Sequence, residues 1–219
     1  MAVVALVAAA GSGERLGRGE PKAFVPCGGR PLLEWSLDVL SGACDRVVVA
    51  VPPGYEHGRD RVSGAASRSA SVRDALLAAP EAEIVVVHDA ARPLVTRELV
   101  ERCVAAVRDG WEGAVAAVRV TDTIKQAAPG GRVVRTLERA SLWSIQTPQA
   151  FRAEALRRAL DVPDAVLSAA TDDASLVEAA GGAVRVIEAS PENIKVTSSL
   201  DLGLAQTLLR ARRGEGPPC

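Results

Sequence analysis

Short apolar runs recur along the chain, most of them followed by a stretch in which apolar residues return every three or four positions. The runs at Val3–Ala8, Arg46–Val51, Glu83–His88, Gly113–Val118, Ser144–Thr147 and Ala183–Ile187 predict strands. Helical periodicity covers Pro31–Leu40, Ala70–Ala79, Arg97–Val107, Ala153–Leu160, Asp172–Ala180 and Leu200–Arg212. Strands that are apolar throughout, rather than alternating, are those buried on both faces. Their alternation with helices predicts an α/β fold, a mainly parallel sheet with helices on both faces. End signals support the helices: Thr171 reads as an N-cap before Asp172 and Asp173, Gly181 as a terminator, and Ser198 with Asp201 as a capping box.

One stretch departs from this rhythm. Thr121–Arg139 is polar and carries a Pro129-Gly130-Gly131 turn between strand-length flanks, Asp122–Gln126 and Arg132–Leu137. That pattern predicts a β-hairpin arm. It has little core of its own to rest on, so it either embraces a second copy of the chain or stands solvated. With no repeat and no linker, the expectation is one domain over residues 1–219, with the 121–139 arm inside it.

Composition narrows the classes of function. A net charge of −1 gives no basic field for nucleic acid, and three Trp, two Phe and one Tyr offer little surface for stacking bases. Cys27, Cys44, Cys103 and Cys219 are scattered without a CxxC or Cys/His cluster, which speaks against zinc and for a reduced, cytoplasmic setting. The apolar run Ala2–Ala10 lacks a basic leader and is too short to span a membrane. Among 26 basic residues only Lys22, Lys125 and Lys195 are lysines. Arg replaces Lys easily on a solvated face but not where a compact ammonium must turn among phosphate oxygens, so these lysines are candidates for such places.

Candidate chemistry begins directly after the first strand, at Ala8-Ala9-Ala10-Gly11-Ser12-Gly13, followed by Arg15 and Lys22. A small-residue loop at the end of a buried strand offers backbone N–H groups to an anion, and two following cations strengthen it. A dinucleotide loop would enter its helix within a few residues, whereas Gly19, Pro21 and Pro26 keep this chain irregular until about Pro31. No GxxxxGK[ST] is present either, which leaves a longer loop that wraps a triphosphate. Asp89, in His88-Asp89-Ala90-Ala91-Arg92-Pro93, lies where open α/β sheets place ligands and suits Mg²⁺, unless it merely pairs with Arg92. His88 reads as a packed strand-end residue. Lys195, in Asn193-Ile194-Lys195-Val196-Thr197, and Arg139 beyond the arm are further anion-binding candidates, Arg139 alternatively pairing with Glu138. Thr171 could receive a phosphate at its helix start, although Asp172 and Asp173 oppose a highly charged ligand there.

Taken together, AAAGSGERLG with PKAF, the RxxSV segment Arg68–Val72, VHDAARP, DTIK, LWSIQTPQAF, TDDAS and NIKVTSSLDL resemble the 2-C-methyl-D-erythritol 4-phosphate cytidylyltransferase family. They occur in family order across nearly the whole chain. The resemblance implies a nucleotide-diphospho-sugar transferase fold, Rossmann-like in its layers, and an enzyme of the non-mevalonate isoprenoid pathway. It would transfer CMP from CTP to methylerythritol phosphate and release pyrophosphate, with Mg²⁺ or another divalent cation held by Asp89. Ala9, Ala10, Gly11, Gly13, Arg15, Lys22, Ser71 and Asp89 would then serve the nucleotide. Arg92, Thr123, Arg139, Thr171 and Lys195 would serve the acceptor, and Arg15, Lys22, Arg139 and Lys195 would carry catalysis. The resemblance further implies a homodimer joined by the arm, with Thr123 and Arg139 reaching the neighbour's site.

The chain departs from the family at Gly64-Ala65, where two glycines usually precede RxxSV. A methyl at Ala65 disturbs recognition of the base by the backbone unless its φ is negative. A ribitol 5-phosphate cytidylyltransferase would share scaffold and nucleotide chemistry, and a non-catalytic nucleotide sensor is the reading from another class. A dehydrogenase is disfavoured, because Val51-Pro52-Pro53 stands where a ribose-binding acid would follow the second strand. For nucleotidyl transfer no general base is needed, since the attacking phosphate is already ionised. The obstacle is repulsion: two like charges 4 Å apart cost about 4 kcal/mol at an effective dielectric of 20.

Overall fold

Strand β1 (Val3–Ala8) consists of valine, alanine and leucine alone, and all but its last are buried, as a strand covered on both faces must be. The computed structural model describes residues 1–11, 13, 19 and 21–215, so Arg15 and Cys219 lie outside the described residues. After β1 come a short hairpin of β2 (Pro26–Cys27) and β3 (Arg30–Pro31), helix α1 (Leu32–Ala43) and strands β4 (Arg46–Val51) and β5 (Arg61–Ser63). Next are α2 (Arg68–Leu77), β6 (Ile84–Asp89), α3 (Arg97–Arg108) and β7 (Gly113–Arg119). The arm strands β8 (Lys125–Ala127) and β9 (Val133–Thr136) precede β10 (Trp143–Arg152). The chain closes with α4 (Ala153–Leu160), α5 (Asp164–Ala169), α6 (Asp173–Ala179), β11 (Val184–Glu188) and α7 (Ser199–Arg212).

Seven strands form one sheet in the order β11-β7-β10-β6-β1-β4-β5. All neighbours are parallel except β10, which runs antiparallel to both β6 and β7. The reversal has a local cause. Trp143 pairs with Arg119, so the whole arm is the loop of a hairpin between β7 and β10. Without a crossover helix between them, two adjacent strands pair antiparallel. Strand β10 is also longer than its apolar core Ser144–Thr147 suggests, with a register break between Ile145 and Gln149. Helix α5 and the edge strand β5 are too short and too mixed in polarity to announce themselves by periodicity.

Successive β1 side chains go to opposite faces. Val3, Ala5 and Val7 pack with α1 and α3, whereas Val4 and Leu6 pack with α2, α4, α5 and α6. Helix α7 belongs to a third cluster, in which Leu202, Ala205 and Leu209 meet Val25, Leu32, Leu94 and Val196. This packing anchors the segment before α7 near the ends of the central strands. The Ser198 hydroxyl accepts from Asp201 N and the Asp201 carboxylate accepts from Ser198 N, the reciprocal capping box expected from the sequence. At α6 the expectation needs correction: the N-cap is Asp172, whose Oδ1 accepts from Ser175 N at 3.0 Å, and not Thr171. A carboxylate with two acceptor oxygens serves two donors, and the other oxygen receives Gln149 Nε2 at 2.9 Å. No helix among the described residues is long and apolar enough to cross a membrane.

Candidate active site

The carboxyl ends of β1 and β6 open into a cavity of about 590 Å³. Its walls are Ala8–Gly11, Gly13, Lys22 and Ala23 from the first loop, Ala65–Arg68 and Ser71 at the start of α2, Asp89–Ala91 after β6, and Lys195 with Thr197. Four chain segments far apart in sequence therefore converge at the edge where parallel sheets bind ligands. Ala9, Ala10, Gly11, Gly13, Lys22, Ser71, Asp89 and Lys195, all singled out from the sequence, share this wall.

Backbone geometry explains the glycines that matter. Lys22 N donates to Gly11 O at 3.2 Å, folding the loop back on itself. Gly13 has φ +76°, and a Cβ there would stand 2.9 Å from Lys22 N, so no larger residue fits. At Gly64 a Cβ would come within 2.2 Å of the Ala10 Cβ, so the two walls of the cleft touch at this point. No non-glycine residue among those described has positive φ, so Ala65 keeps an ordinary backbone and its methyl introduces no strain. The Ser71 hydroxyl accepts from Ala65 N at 2.9 Å and donates to Ser67 O at 2.9 Å, which ties this wall to α2.

Asp89 is the electrostatic centre. Its Oδ1 accepts from Arg68 Nε at 2.8 Å and its Oδ2 pairs with Lys195 Nζ at 2.7 Å. The ion pair with Arg92 considered from the sequence is not the one formed; Arg92 contributes only its backbone N–H, to Asp89 O at 3.0 Å. Burial opposes the Asp89 charge, but Arg68 and Lys195 outweigh it and hold the carboxyl well below the usual carboxylate range. Arg68 also donates through Nη1 to Asp173 Oδ2, a fully buried carboxylate at the start of α6. Burial lifts the Asp173 carboxyl above its ordinary range despite this partner.

Behind Asp89, hydrogen bonds fix the neighbouring segments. Thr147 Oγ1 accepts from Asp89 N at 3.0 Å, and because the Arg92 carbonyl beside Nε2 can only accept, the neutral His88 ring receives the Thr147 proton at Nδ1, 3.2 Å away. His88 Nε2 then carries the ring proton and donates to Arg92 O at 3.3 Å. Burial pushes this imidazole down to about 4, so it is a neutral, packed residue as expected. Asn193 Nδ2 donates to Gln146 Oε1 at 2.8 Å and Thr147 O at 2.9 Å, while Arg92 Nη1 donates to Asn193 O at 2.7 Å. These bonds hold the loop that brings Lys195 to Asp89.

Not every expected residue reaches the cleft. Arg92 is buried beneath the Asn193 loop and does not line the cavity. Thr171 is exposed at the foot of α6, next to the N-cap. Thr123 and Arg139 share a second hollow of about 470 Å³ between the arm and the end of β7, where Arg139 Nη1 donates to Thr121 O rather than pairing with Glu138. Arg15 lies outside the described residues. Arg68 is the residue that sequence reasoning passed over. It stands in the quoted RxxSV segment, yet its partners lie 21 and 105 residues away and no spacing rule links them.

The profile of the 2-C-methyl-D-erythritol 4-phosphate cytidylyltransferase family matches residues 3–211. An enzyme of that name from Rubrobacter xylanophilus is 45% identical over 227 residues, covering 97% of each chain. One from Rhodococcus opacus is 46% identical over 220 residues, covering 94% of this chain and 95% of the other. The crystal structure of the 2-C-methyl-D-erythritol 4-phosphate cytidylyltransferase from Thermus thermophilus superposes with a TM-score of 0.81 at 38% identity, covering 96% of this chain and all of that one. The Anaerococcus prevotii 4-diphosphocytidyl-2C-methyl-D-erythritol synthase gives 0.81 at 28% identity, covering 95% and 98%. The fold expected from the sequence is thus the fold of this family.

Proposed function

The chain belongs to the 2-C-methyl-D-erythritol 4-phosphate cytidylyltransferase family, and from that premise we propose that its cleft transfers CMP from CTP to 2-C-methyl-D-erythritol 4-phosphate. The observation that carries this reading is the convergence of Lys22, Lys195 and Asp89 on one cavity beside the glycine loop. An oxygen of the acceptor phosphate attacks the α-phosphorus of CTP. The bond from that phosphorus to its bridging oxygen breaks, and pyrophosphate leaves with the electron pair. The other product is 4-diphosphocytidyl-2-C-methyl-D-erythritol, as the non-mevalonate isoprenoid pathway requires.

No proton has to be removed, so the chain's task is alignment and charge. Ala9, Ala10, Gly11 and Gly13 line the nucleotide's side of the cleft; Ser71 fixes the facing wall. Lys22 and Arg15 stabilise the charge that builds on the transferring phosphoryl group, and Lys195 faces the acceptor phosphate. Among the described residues no three His, Cys, Asp or Glu side chains cluster to cage a metal. Asp89 is the carboxylate that would hold Mg²⁺, an ion commonly bound by one or two carboxylates with substrate phosphates, and it would do so by sharing oxygens that Arg68 and Lys195 already engage. When bound, the ion would neutralise triphosphate charge.

Thr123 and Arg139, exposed on the arm and away from the chain's own cleft, serve the acceptor in a partner's site within a homodimer. Arg92 acts on the acceptor side through the Asn193 loop, and Thr171, exposed beside the Asp172 N-cap of α6, borders that side. The enzyme works as one domain in the cytoplasm, in keeping with its unpaired Cys27, Cys44 and Cys103. Incubation with CTP, Mg²⁺ and either acceptor tests the reading by pyrophosphate release. Preferential turnover of ribitol 5-phosphate would overturn the acceptor assignment, and no release with either would revive the nucleotide sensor.

A further inference from the structure

We propose that Arg68 is a positioning residue for the transfer, acting through Asp89 on Lys195 with Asp173 as its buried counter-charge. The proposal rests on the cytidylyltransferase reading above and gives a role to a residue that the sequence reading left without one. Arg68 is the first residue of α2, Asp89 the last of β6 and Asp173 the first of α6. One guanidinium therefore joins three elements, through Nε to Asp89 Oδ1 and Nη1 to Asp173 Oδ2. Asp89 and Asp173 are nearly or wholly buried, with side chains 9% and 0% exposed, whereas Lys195 is 40% exposed at the cleft. The four charges sum to zero before substrate arrives.

Such a cluster is a poor device for stability alone, since buried ion pairs recover their desolvation only when geometry is excellent, and apolar replacements often do as well. Its geometry has a different consequence. With Oδ1 held by Arg68, the Asp89 carboxylate cannot turn, and it offers Oδ2 alone to Lys195. Remove the guanidinium, and both carboxylate oxygens become available to the ammonium, which would then be drawn off the line to the phosphates. Lysine cannot substitute at position 68, because a point-like ammonium lacks the fork of donors that reaches two diverging carboxylates at once.

The test compares wild type with Arg68→Ala, Arg68→Lys and Asp173→Asn by pyrophosphate release, thermal unfolding and rescue with methylguanidinium. Arg68→Ala is expected to lower kcat by about 100-fold, the scale of a displaced reacting group, with KM for CTP within about threefold. Methylguanidinium should recover about tenfold of that loss and methylammonium none, a response that a purely structural defect would not give. Arg68→Lys should remain close to Arg68→Ala. A folded Arg68→Ala protein that keeps kcat within about threefold, or that methylguanidinium fails to rescue, overturns the proposal. Should Arg68→Ala not fold, Asp173→Asn decides: about a tenfold loss in kcat supports the proposal and an unchanged kcat overturns it. Wild-type protein that releases no pyrophosphate sinks the underlying reading as well, whereas active wild type beside an active Arg68→Ala sinks this proposal alone.

Discussion

Lys22 and Lys195 reach the same cavity from opposite ends of the chain, and on the proposed reading a compact ammonium suits crowded phosphate oxygens better than an arginine would. Lys22→Ala should lower kcat by about 100-fold or more while KM for CTP changes little, because the charge it meets is largest in the transition state. An unchanged kcat in that variant would remove Lys22 from this role. The pair Gly64 and Ala65 separates space from backbone freedom. In Gly64→Ala the new Cβ would stand 2.2 Å from the Ala10 Cβ, so the two cleft walls must part. Its KM for CTP should rise about tenfold or more in isothermal or kinetic titration, as misplacement of a binding wall does. Ala65 keeps a φ that any residue adopts, so Ala65→Gly should leave the preference for CTP over UTP as it is. Its expected effect is a stability loss of about 0.5–1 kcal/mol, from greater freedom of the unfolded chain.

Among the elements, α7 and the arm make the clearest demands. Hydrogen bonds from Thr197, then Ser198, hold the Asp201 carboxyl at about 2, below its ordinary range. A folded pKa below the unfolded one adds stability that is complete above the unfolded value and is lost as pH falls through about 2. Asp201→Asn should therefore melt earlier than wild type at pH 7, by the about 1 kcal/mol typical of a cap, with the two curves converging below the folded value. Equal melting at pH 7 would show that the carboxylate contributes nothing to the cap. The arm strands β8 and β9 pair only with each other, and Val133 and Val134 are 55% and 58% exposed. A protruding two-stranded ribbon with apolar residues outward is better stabilised against a second copy than in water. Replacing residues 125–136 by a short Gly/Ser turn should shift sedimentation from dimer to monomer. A full-length protein that sediments as a monomer would leave the shared site without support.

At the scale of the whole molecule, the site exists because distant segments are tied together behind it. Asn193 is 2% exposed and joins β10 to the turn after β6, two residues before Lys195. Asn193→Ala should raise KM for the acceptor about tenfold by loosening the Lys195 loop, with a smaller change for CTP; equal changes for both substrates would contradict it. Much of this molecule was legible in the order of its residues. The alternation of apolar runs with helical periodicity gave strands and helices close to their observed bounds, and the Ser198–Asp201 box and the Gly130-Gly131 turn marked two ends correctly. These are short-range effects, decided by backbone hydrogen bonds and side chains a few positions apart. The small-residue loop with Lys22 pointed to one wall of the observed cavity for the same local reason. Only the tertiary structure decided that β10 runs against its neighbours, that Asp172 rather than Thr171 caps α6, and that Thr123 and Arg139 lie apart from the cleft. It alone brought Arg68 between Asp89 and Asp173, because burial and charge pairing across 105 residues arise from packing, which no local pattern encodes.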